Sequence, residues 1–524
     1  MLDAVQQEVI DKVLRGESVF FTGSAGTGKT FLLNTILQCL KEKWGDLYGE
    51  RVAVTAMTGI AATHIEGTTF NAAMGIGAPS RYRDFLTMHR KDVRARIKAL
   101  HVLVVDECSM MSGELFAIVE FMLRTIRKNM RPAGGLQLIL CGDFFQLPPI
   151  TKISMADPPP QRDAFTNYGY AFQAPSWRQV FSEGNHIVLT RIFRQSDESF
   201  AAVLNSIRLG EEGVKQITAR LVAECSREVT CAEGIKPTQI FARNADVDRI
   251  NMAELAALPG DAVQFRSVDE YAFKAGVEES KTQKDFLRDC IAAHDISLKE
   301  GAQVMLLKNL DPMGGLVNGS RGVVTGYVHA SLALAAACAF LTPTQLAEAT
   351  SVLAKGPPGF KVPVVRFVSG KEFGILPAIF RHDVPGVVEC KRTQIPLKLA
   401  WTITIHKSQG LTLDAAQVSL VGMFAPGQAY VALSRARSKE GLEIVGWDNK
   451  IVPVNKVVAA FYGLGPPPLV REGWVTFCKW RWGSEEELTA EQMMNAAREV
   501  HMTTSKMNPS TSVGSGVWFG TTPR

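Results

Sequence analysis

Between residues 18 and about 190 the chain alternates two textures. Short apolar runs, "VFFT", "RVAVTA", "HVLVVDE", "LQLILCGD" and "HIVLT", are separated by stretches such as "FLLNTILQCL", with apolar residues at helical spacing. Strands that are apolar on both faces must be covered on both faces. The alternation therefore predicts a parallel sheet with helices on either side, an α/β fold. A second α/β unit is predicted from "KPTQIFA", "LKLAWTITIHKSQG" and "LEIVGW".

Between those segments lie "GAQVMLLKNL", "GSRGVVTGYV", "VPVVRFVSG" and "EFGILPA", short strands with Asn-Gly and Gly-rich turns. They predict a small antiparallel barrel inserted in the second unit. Within it lies an Ala-rich extension, "VHASLALAAACAFLTPTQLAEATSVLAKGPPG", whose apolar side is expected to pack on the barrel. Beyond "GPPPLV" a helix is expected over "SEEELTAEQMMNAAREV", and the final fifteen or so residues are expected to be disordered. The domain division expected is 1–190, with an insertion at about 76–99, then 191–465 with the barrel at about 300–396, then 466–524.

Composition narrows the class without naming a function. The chain has 524 residues, 46% hydrophobic and 21% charged, enough for two to four domains of ordinary globular material. A net charge of +5 is mild, so a nucleic-acid partner has to be argued from local clusters. Nine cysteines show no CxxC pair and no zinc spacing, which predicts free thiols in a reducing compartment. The longest apolar run, Leu332 to Leu341, is about half what a bilayer needs, so no membrane segment is expected. The first helix begins almost at Met1 and leaves no room for a signal or transit peptide, so a cytosolic or nuclear protein, or a trimmed chain, is expected.

The first chemistry lies in "FFTGSAGTGKTFLL". Its spacing is GxxxxGK[ST], with Gly23, Ser24, Ala25, Gly26, Thr27, Gly28, Lys29 and Thr30 between a strand and a helix. Glycines let backbone N–H groups approach phosphate oxygens, and the helix N-terminus points its dipole at the same anion. Lys29 would reach the β- and γ-phosphates of ATP, and the Thr30 hydroxyl would hold Mg²⁺.

Asp106 and Glu107 end the strand "HVLVVDE". In P-loop enzymes an aspartate here holds Mg²⁺, and an adjacent acid can deprotonate the attacking water. Gln146, on the Pro-bounded turn of "LILCGDFFQLPPI", could sense the γ-phosphate. Arg194 in "RIFRQ" and Arg435 in "YVALSRAR" could stabilise charge on a transferring phosphoryl group from a second domain.

These residues together carry a resemblance. In order, "LDAVQQEVID", "FTGSAGTGKT", "TAMTGIAA", "DECSMM", "GGLQLILCGDFFQLPPI", "FRQ", "GAQVMLLKNLDPMGGLVNGSRGVVTGY", "TITIHKSQGLTLD" and "GQAYVALSRAR" resemble the superfamily 1 DNA helicases of the Pif (petite integration frequency) type. The resemblance implies two RecA-like domains with ATP between them, a small wedge insertion in the first and an SH3-like barrel in the second. It also implies 5′-to-3′ movement on single-stranded DNA. Gln6 resembles the adenine-reading glutamine, and Gly410 falls among the nucleotide-site residues. Thr58 and Gly59 of "TGIAA", and Thr404, His406, Lys407 and Ser408 around "HKSQG", resemble strand-contacting loops. The sequence departs from the family after "GTT", where Asn71 stands in place of a histidine and Ala73 in place of an aromatic.

Arg81, Arg83, Arg90, Lys91, Arg94, Arg96 and Lys98, against Asp84 and Asp92, form a basic run where the family inserts its wedge. Arg94 and Arg96 are the expected phosphate contacts. A second cluster, Arg124, Arg127, Lys128 and Arg131, reads equally as DNA contact or as structure. The partners expected are single-stranded DNA and single-strand/duplex junctions, with G-quadruplex or RNA–DNA hybrid as further substrates. A monomer is expected, in nucleus or mitochondrion if the source is eukaryotic and cytoplasmic otherwise. Two other readings stay open: an RNA or hybrid helicase, and an idle nucleic-acid scaffold.

Overall fold

The computed structural model describes residues 2–496, apart from 152, 194–196, 230–234, 243, 274–286, 288–289, 309, 312–315, 317, 339–340, 355–356, 358 and 382–387. Six strands make the first sheet: β1 (Val19–Gly23), β2 (Val52–Ala56), β3 (Thr68–Thr69), β4 (Val102–Asp106), β5 (Gln137–Cys141) and β6 (His186–Leu189). They are parallel throughout, in the order β3-β2-β4-β5-β1-β6. The five apolar runs read from the sequence are all here. Because β4, β5 and β1 are neighbours, the loops after Asp106, Cys141 and Gly23 leave one edge of the sheet side by side. That is where open α/β sheets bind ligands.

Helices cover both faces. Val9, Ile10, Leu32, Leu33 and Ile36 pack on one side against Val19, Phe21 and Ile139. The other side buries Leu103, Val105, Leu138 and Leu140 with Phe116, Met122 and Trp177. Residues 82–99 join this second face through Tyr82, Phe85, Met88, Val93 and Ile97. So does the C-terminal helix Pro468–Trp482, whose Trp474, Phe477 and Cys478 are fully buried there. Of the helix expected over 484–500, residues 490–496 are helical and 484–489 are not, the rest lying outside the described residues. The expected disordered tail lies outside the described residues.

The second unit opens with helices Glu198–Leu209 and Val214–Cys225, whose Phe200, Leu204, Ile207 and Leu221 pack in one core with Ile240, Ile403 and Val418, and continues with β7 (Thr238–Phe241). An antiparallel region follows: β8 (Val263–Arg266), β9 (Val268–Phe273), β10 (Asp295–Leu298), β11 (Gln303–Leu306), β12 (Arg321–His329), β13 (Lys361–Phe367), β14 (Glu372–Gly374), β15 (Ala378–Arg381), β16 (Val388–Gln394) and β17 (Leu397–Leu399). Finally β18 (Thr402–Thr404), β19 (Ala416–Ser419) and β20 (Leu442–Gly446) pair with β7 in a parallel sheet ordered β18-β7-β19-β20.

The antiparallel strands form sheets β14-β13-β12-β11-β17, β15-β16-β9 and β10-β8. They reach from Val263 to Leu399, wider than the 300–396 expected, and Phe265, Ile296 and Leu298 share a core with Val304, Val324 and Val365. β9 escaped the pattern because its Asp269-Glu270 pair breaks the apolar alternation and none of its residues is fully buried. The Ala-rich extension folds as helices Ala330–Ala337 and Pro343–Ala354, with Ala330, Ala333 and Ala337 buried in the same core. Among the described residues no helix is long and apolar enough to cross a membrane.

Candidate nucleotide site and nucleic-acid face

The loop after β1 turns through Gly26 (φ 87°) and Gly28 (φ 79°), dihedrals that a side chain rarely adopts. Gly28 is the N-cap of helix Lys29–Trp44 and brings no side-chain cap, so the first-turn N–H groups keep their capacity for an anion. Lys29 Nζ lies across the loop, donating to Gly23 O at 2.8 Å and Ser24 O at 3.0 Å. Thr27 Oγ1 donates to Ser24 O at 2.9 Å, and Thr30 is exposed on the first turn.

Gln6 is buried, its Oε1 accepting from Asp3 N at 3.1 Å, in a capping box for helix Ala4–Leu14. Its Nε2 lies next to Gly28, where a Cβ would come within 3.3 Å. The Phe193 ring lies against the same glycine, tied by Phe193 N donating to Gly26 O at 2.7 Å, with Arg191 over its face at 4.9 Å. Phe193 thus presents a half-exposed flat shelf beside Gln6, a feature that the sequence reading passed over for its neighbour. That neighbour, Arg194, lies outside the described residues.

Asp106 and Glu107 close the floor. Glu107 adopts φ 52°, ψ 41°, a left-handed conformation unusual for a residue with a side chain, and its N–H donates to Asp106 Oδ1 at 2.8 Å. Burial holds both carboxyls above the usual range, and the Asp106 charge adds to this at Glu107 while Lys29 and Arg435 oppose it. Uncapped N–H groups and an ammonium on a glycine-lined loop, with a buried carboxylate at the end of β4 that feels the Lys29 charge, suit a nucleotide phosphate chain with a divalent cation.

The second unit reaches into this site at four places. Tyr430 Oη accepts from Ala25 N at 2.6 Å. Gln409 Nε2 donates to Glu107 Oε2 at 2.7 Å. Arg208 grips Asp143 with two bonds of 2.9 Å, in a buried pair that also lays the guanidinium over Phe145 at 4.6 Å. Gly427 (φ +77°) abuts the turn at Gln146, where a Cβ would stand 2.3 Å from the Gln146 carbonyl oxygen, so only glycine fits. Gln146 itself is buried, its Nε2 donating to Asp143 Oδ2 at 3.4 Å.

Arg435 lies inside this seam, 1% exposed. Its Nε donates to Val431 O at 2.7 Å, Nη2 to Ser434 Oγ at 2.8 Å, and Nη1 to Leu411 O and Ser408 O at 3.3 and 3.4 Å. Gly410, expected with the nucleotide residues, stands instead beside His64, whose Nε2 would be 3.9 Å from an added Cβ. Its neighbour Gln409 is the residue that reaches the carboxylates.

On the expected DNA side, several residues serve the backbone. Thr58 Oγ1 accepts from Ala61 N at 3.2 Å at the start of helix Gly59–His64. Thr404 caps helix Ile405–Ser408 by accepting from Lys407 N at 3.2 Å, and Ser408 Oγ donates to Ile405 O at 2.8 Å. Thr404 and Ser408 are buried, so the expectation of direct DNA contact from their side chains is corrected: they shape the turn that exposes Lys407 and half-buried His406. Asn71 points its Oδ1 inward, buried without a hydrogen-bond partner among the described residues, which removes that atom from the surface.

The two basic clusters also divide. Arg94, Lys91 and Lys98 are exposed on helix Lys91–Ala99, but Arg96 is half-buried and donates to Ala73 O, a structural bond. Arg127 Nη1 caps the same helix through Ile97 O and Leu100 O, both at 2.7 Å, and Arg124 pairs with Glu120 at 2.9 Å. Between the Gly59 turn and the antiparallel region opens a cleft of about 570 Å³ lined by His64, Lys308, Asn318 and Arg381 among others.

A glycine-lined phosphate loop, a carboxylate pair at the adjacent strand end and a second parallel unit closing on both define a P-loop protein of the two-unit kind. The family model for PIF1-like helicases matches residues 1–216, and that for the 2B domain of DNA helicase Pif1 matches residues 285–327. The chain is 37% identical over 465 residues to the ATP-dependent DNA helicase PIF1 of Xenopus laevis, covering 88% of this chain and 64% of that protein. It is 34% identical over 510 residues to the ATP-dependent DNA helicase RRM3 of Saccharomyces cerevisiae, covering 88% and 67%. The crystal structure of Pif1 helicase from Candida albicans matches with a TM-score of 0.65 at 34% identity, over 88% of this chain and 99% of that one. Bacteroides Pif1 in complex with ADP-AlF4 matches with a TM-score of 0.64 at 27% identity, over 88% and 96%. The chain belongs to the PIF1-like helicase family. It spans somewhat under two thirds of the Xenopus protein's length.

Proposed function

We propose that this chain is an ATP-hydrolysing DNA helicase that moves 5′-to-3′ along single-stranded DNA and strips duplex ahead of it. The two parallel units act as RecA-like domains, residues 76–99 as a wedge and the antiparallel region as an SH3-like insertion. The observation that carries the reading is the seam itself. Loop atoms of the first unit (Ala25 N, Glu107 Oε2, Asp143) are each bonded to a side chain of the helix-and-turn system of the second. Closure of one unit on the other is therefore registered at the phosphate loop. Related Pif1 structures hold single-stranded and forked DNA, which supports the same substrate class here.

In this reading Lys29 and the first-turn N–H groups bind the phosphates, Phe193 and Gln6 seat the base, and Glu107 accepts a proton from the attacking water. Thr30 and Asp106 would hold Mg²⁺, which supplies charge neutralisation at the phosphate oxygens. Arg435 adds positive charge from the second unit. Lys407, His406 and Arg94 grip the DNA backbone without reading its sequence, as a motor requires.

The test is ATP turnover with and without oligo-dT, with displacement of a forked duplex measured on the same protein. Stimulated hydrolysis and displacement, both absent in Lys29→Ala, are expected. Full turnover in a folded Lys29→Ala protein would end the reading.

A further inference from the structure

Gln409 belongs to the 404–410 turn, yet its side chain crosses to the first unit and donates to Glu107 Oε2 at 2.7 Å, over 302 residues of chain. It is 6% exposed, and its own Oε1 has no hydrogen-bond partner among the described residues. An ionised carboxylate only accepts, so the amide must turn Nε2 to Glu107 and leaves Oε1 as a second acceptor beside it. A buried acceptor left unpaired costs about 1–3 kcal/mol, so its persistence here calls for a donor. Two neighbouring acceptors, one carboxylate and one amide carbonyl, match the two protons of a water molecule.

The turn that carries Gln409 is held firmly. Thr404 caps its helix, Gly410 (φ +81°) reverses the chain, and Arg435 Nη1 bonds the Ser408 and Leu411 carbonyls on either side of Gln409–Gly410. Exposed Lys407 is two residues away.

We propose that Gln409 is a positioning residue for hydrolysis: it fixes Glu107, offers its carbonyl to the attacking water, and links strand occupancy at Lys407 to the hydrolytic carboxylate. This rests on the ATPase reading above and deepens it. In the step served, water gives one proton to Glu107 while its oxygen bonds the γ-phosphorus. The bond from that phosphorus to the bridging oxygen breaks, releasing ADP and inorganic phosphate, and Glu107 returns its proton to solvent.

The test uses Gln409→Ala and the isosteric Gln409→Glu in the full chain. Turnover is measured with and without oligo-dT, nucleotide affinity with a fluorescent ATP analogue, and oligo-dT affinity by anisotropy. Stimulated kcat should fall roughly 10²-fold in both variants, with nucleotide and oligo-dT affinities within about threefold of the parent. In a Glu107→Gln background, adding Gln409→Ala should change kcat less than about threefold, because the two side chains act as one unit. Parental stimulated turnover in either variant, or full multiplication of the two losses, overturns the proposal while leaving the ATPase reading intact. A parent chain with no ATP turnover at all overturns that reading, and this inference with it.

Discussion

The Tyr430 hydroxyl accepts a hydrogen bond from the Ala25 amide at 2.6 Å, so the second unit holds a backbone N–H of the phosphate loop. Both groups are buried. Tyr430→Phe would remove the acceptor and leave that N–H without a partner, a loss of about 1–3 kcal/mol. Urea unfolding should show a lower midpoint. An unchanged midpoint would mean that the bond contributes nothing to holding the units together.

Asp143 and Arg208 make a different kind of contact, a buried charge pair. Removing one partner strands the other, which costs about 3–5 kcal/mol, whereas replacing both by apolar residues is often nearly neutral. Arg208→Met should therefore be strongly destabilised, and Arg208→Met with Asp143→Leu should recover much of the loss. Thermal unfolding of the two variants checks this. A double variant as unstable as the single one would show that Arg208 acts through Phe145 packing instead.

The basic run separates into surface and structure. Arg94→Ala should flatten the log–log salt dependence of oligo-dT binding by roughly 0.7, the share of one phosphate contact on a single strand. Arg96→Ala should leave that slope alone and lower the thermal stability, because its guanidinium holds the Ala73 carbonyl. Filter binding across a salt series, with melting of both variants, distinguishes them. An unchanged slope in Arg94→Ala would return that side chain to a solvated surface.

Local and long-range features differ in how far the sequence could be read. The phosphate loop, the Asp106-Glu107 strand end and most strands of the two parallel sheets were legible because each is a local pattern of fixed spacing, whereas the two-residue β3 and the half-buried, polar-alternating β19 were not read. Tyr430 with Ala25, Arg208 with Asp143 and Gln409 with Glu107 were not, since partners 405, 65 and 302 residues apart leave no local trace. Arg96 and Ser408 were over-read for a related reason: a polar side chain occupied by a nearby carbonyl looks identical in sequence to one that faces a ligand. The antiparallel strands before residue 300 were lost because the Asp269-Glu270 pair breaks the apolar alternation of β9.

His64 offers a pH test of the junction between the first unit and the antiparallel region. Burial, with the Lys398 charge assisting, holds its imidazole down to about 4, and its Nε2 lies 3.4 Å from Asn318 Nδ2. The folded state keeps it neutral while the unfolded chain protonates near 6.5, so the unfolded state binds more protons in between. Its contribution is full above about pH 6.5 and is lost as pH falls towards 4. His64→Gln should flatten this acid limb, measured as melting temperature from pH 7.5 to 4.5. An equally steep limb in the variant would place the acid sensitivity elsewhere.

In the proposed mechanism the second unit completes a reaction held on the first. Turnover of bound ATP in Arg435→Ala, with Arg435→Lys beside it, tests this most directly, with saturating oligo-dT and nucleotide affinity measured in parallel. Arg435 is buried in the seam, and its charge acts on Glu107. Its loss should lower kcat roughly 10³-fold with nucleotide affinity nearly unchanged, and lysine, lacking the planar fork, should not restore it. Parental turnover in folded Arg435→Ala protein would contradict the account, because the first unit would then be hydrolysing ATP without the second.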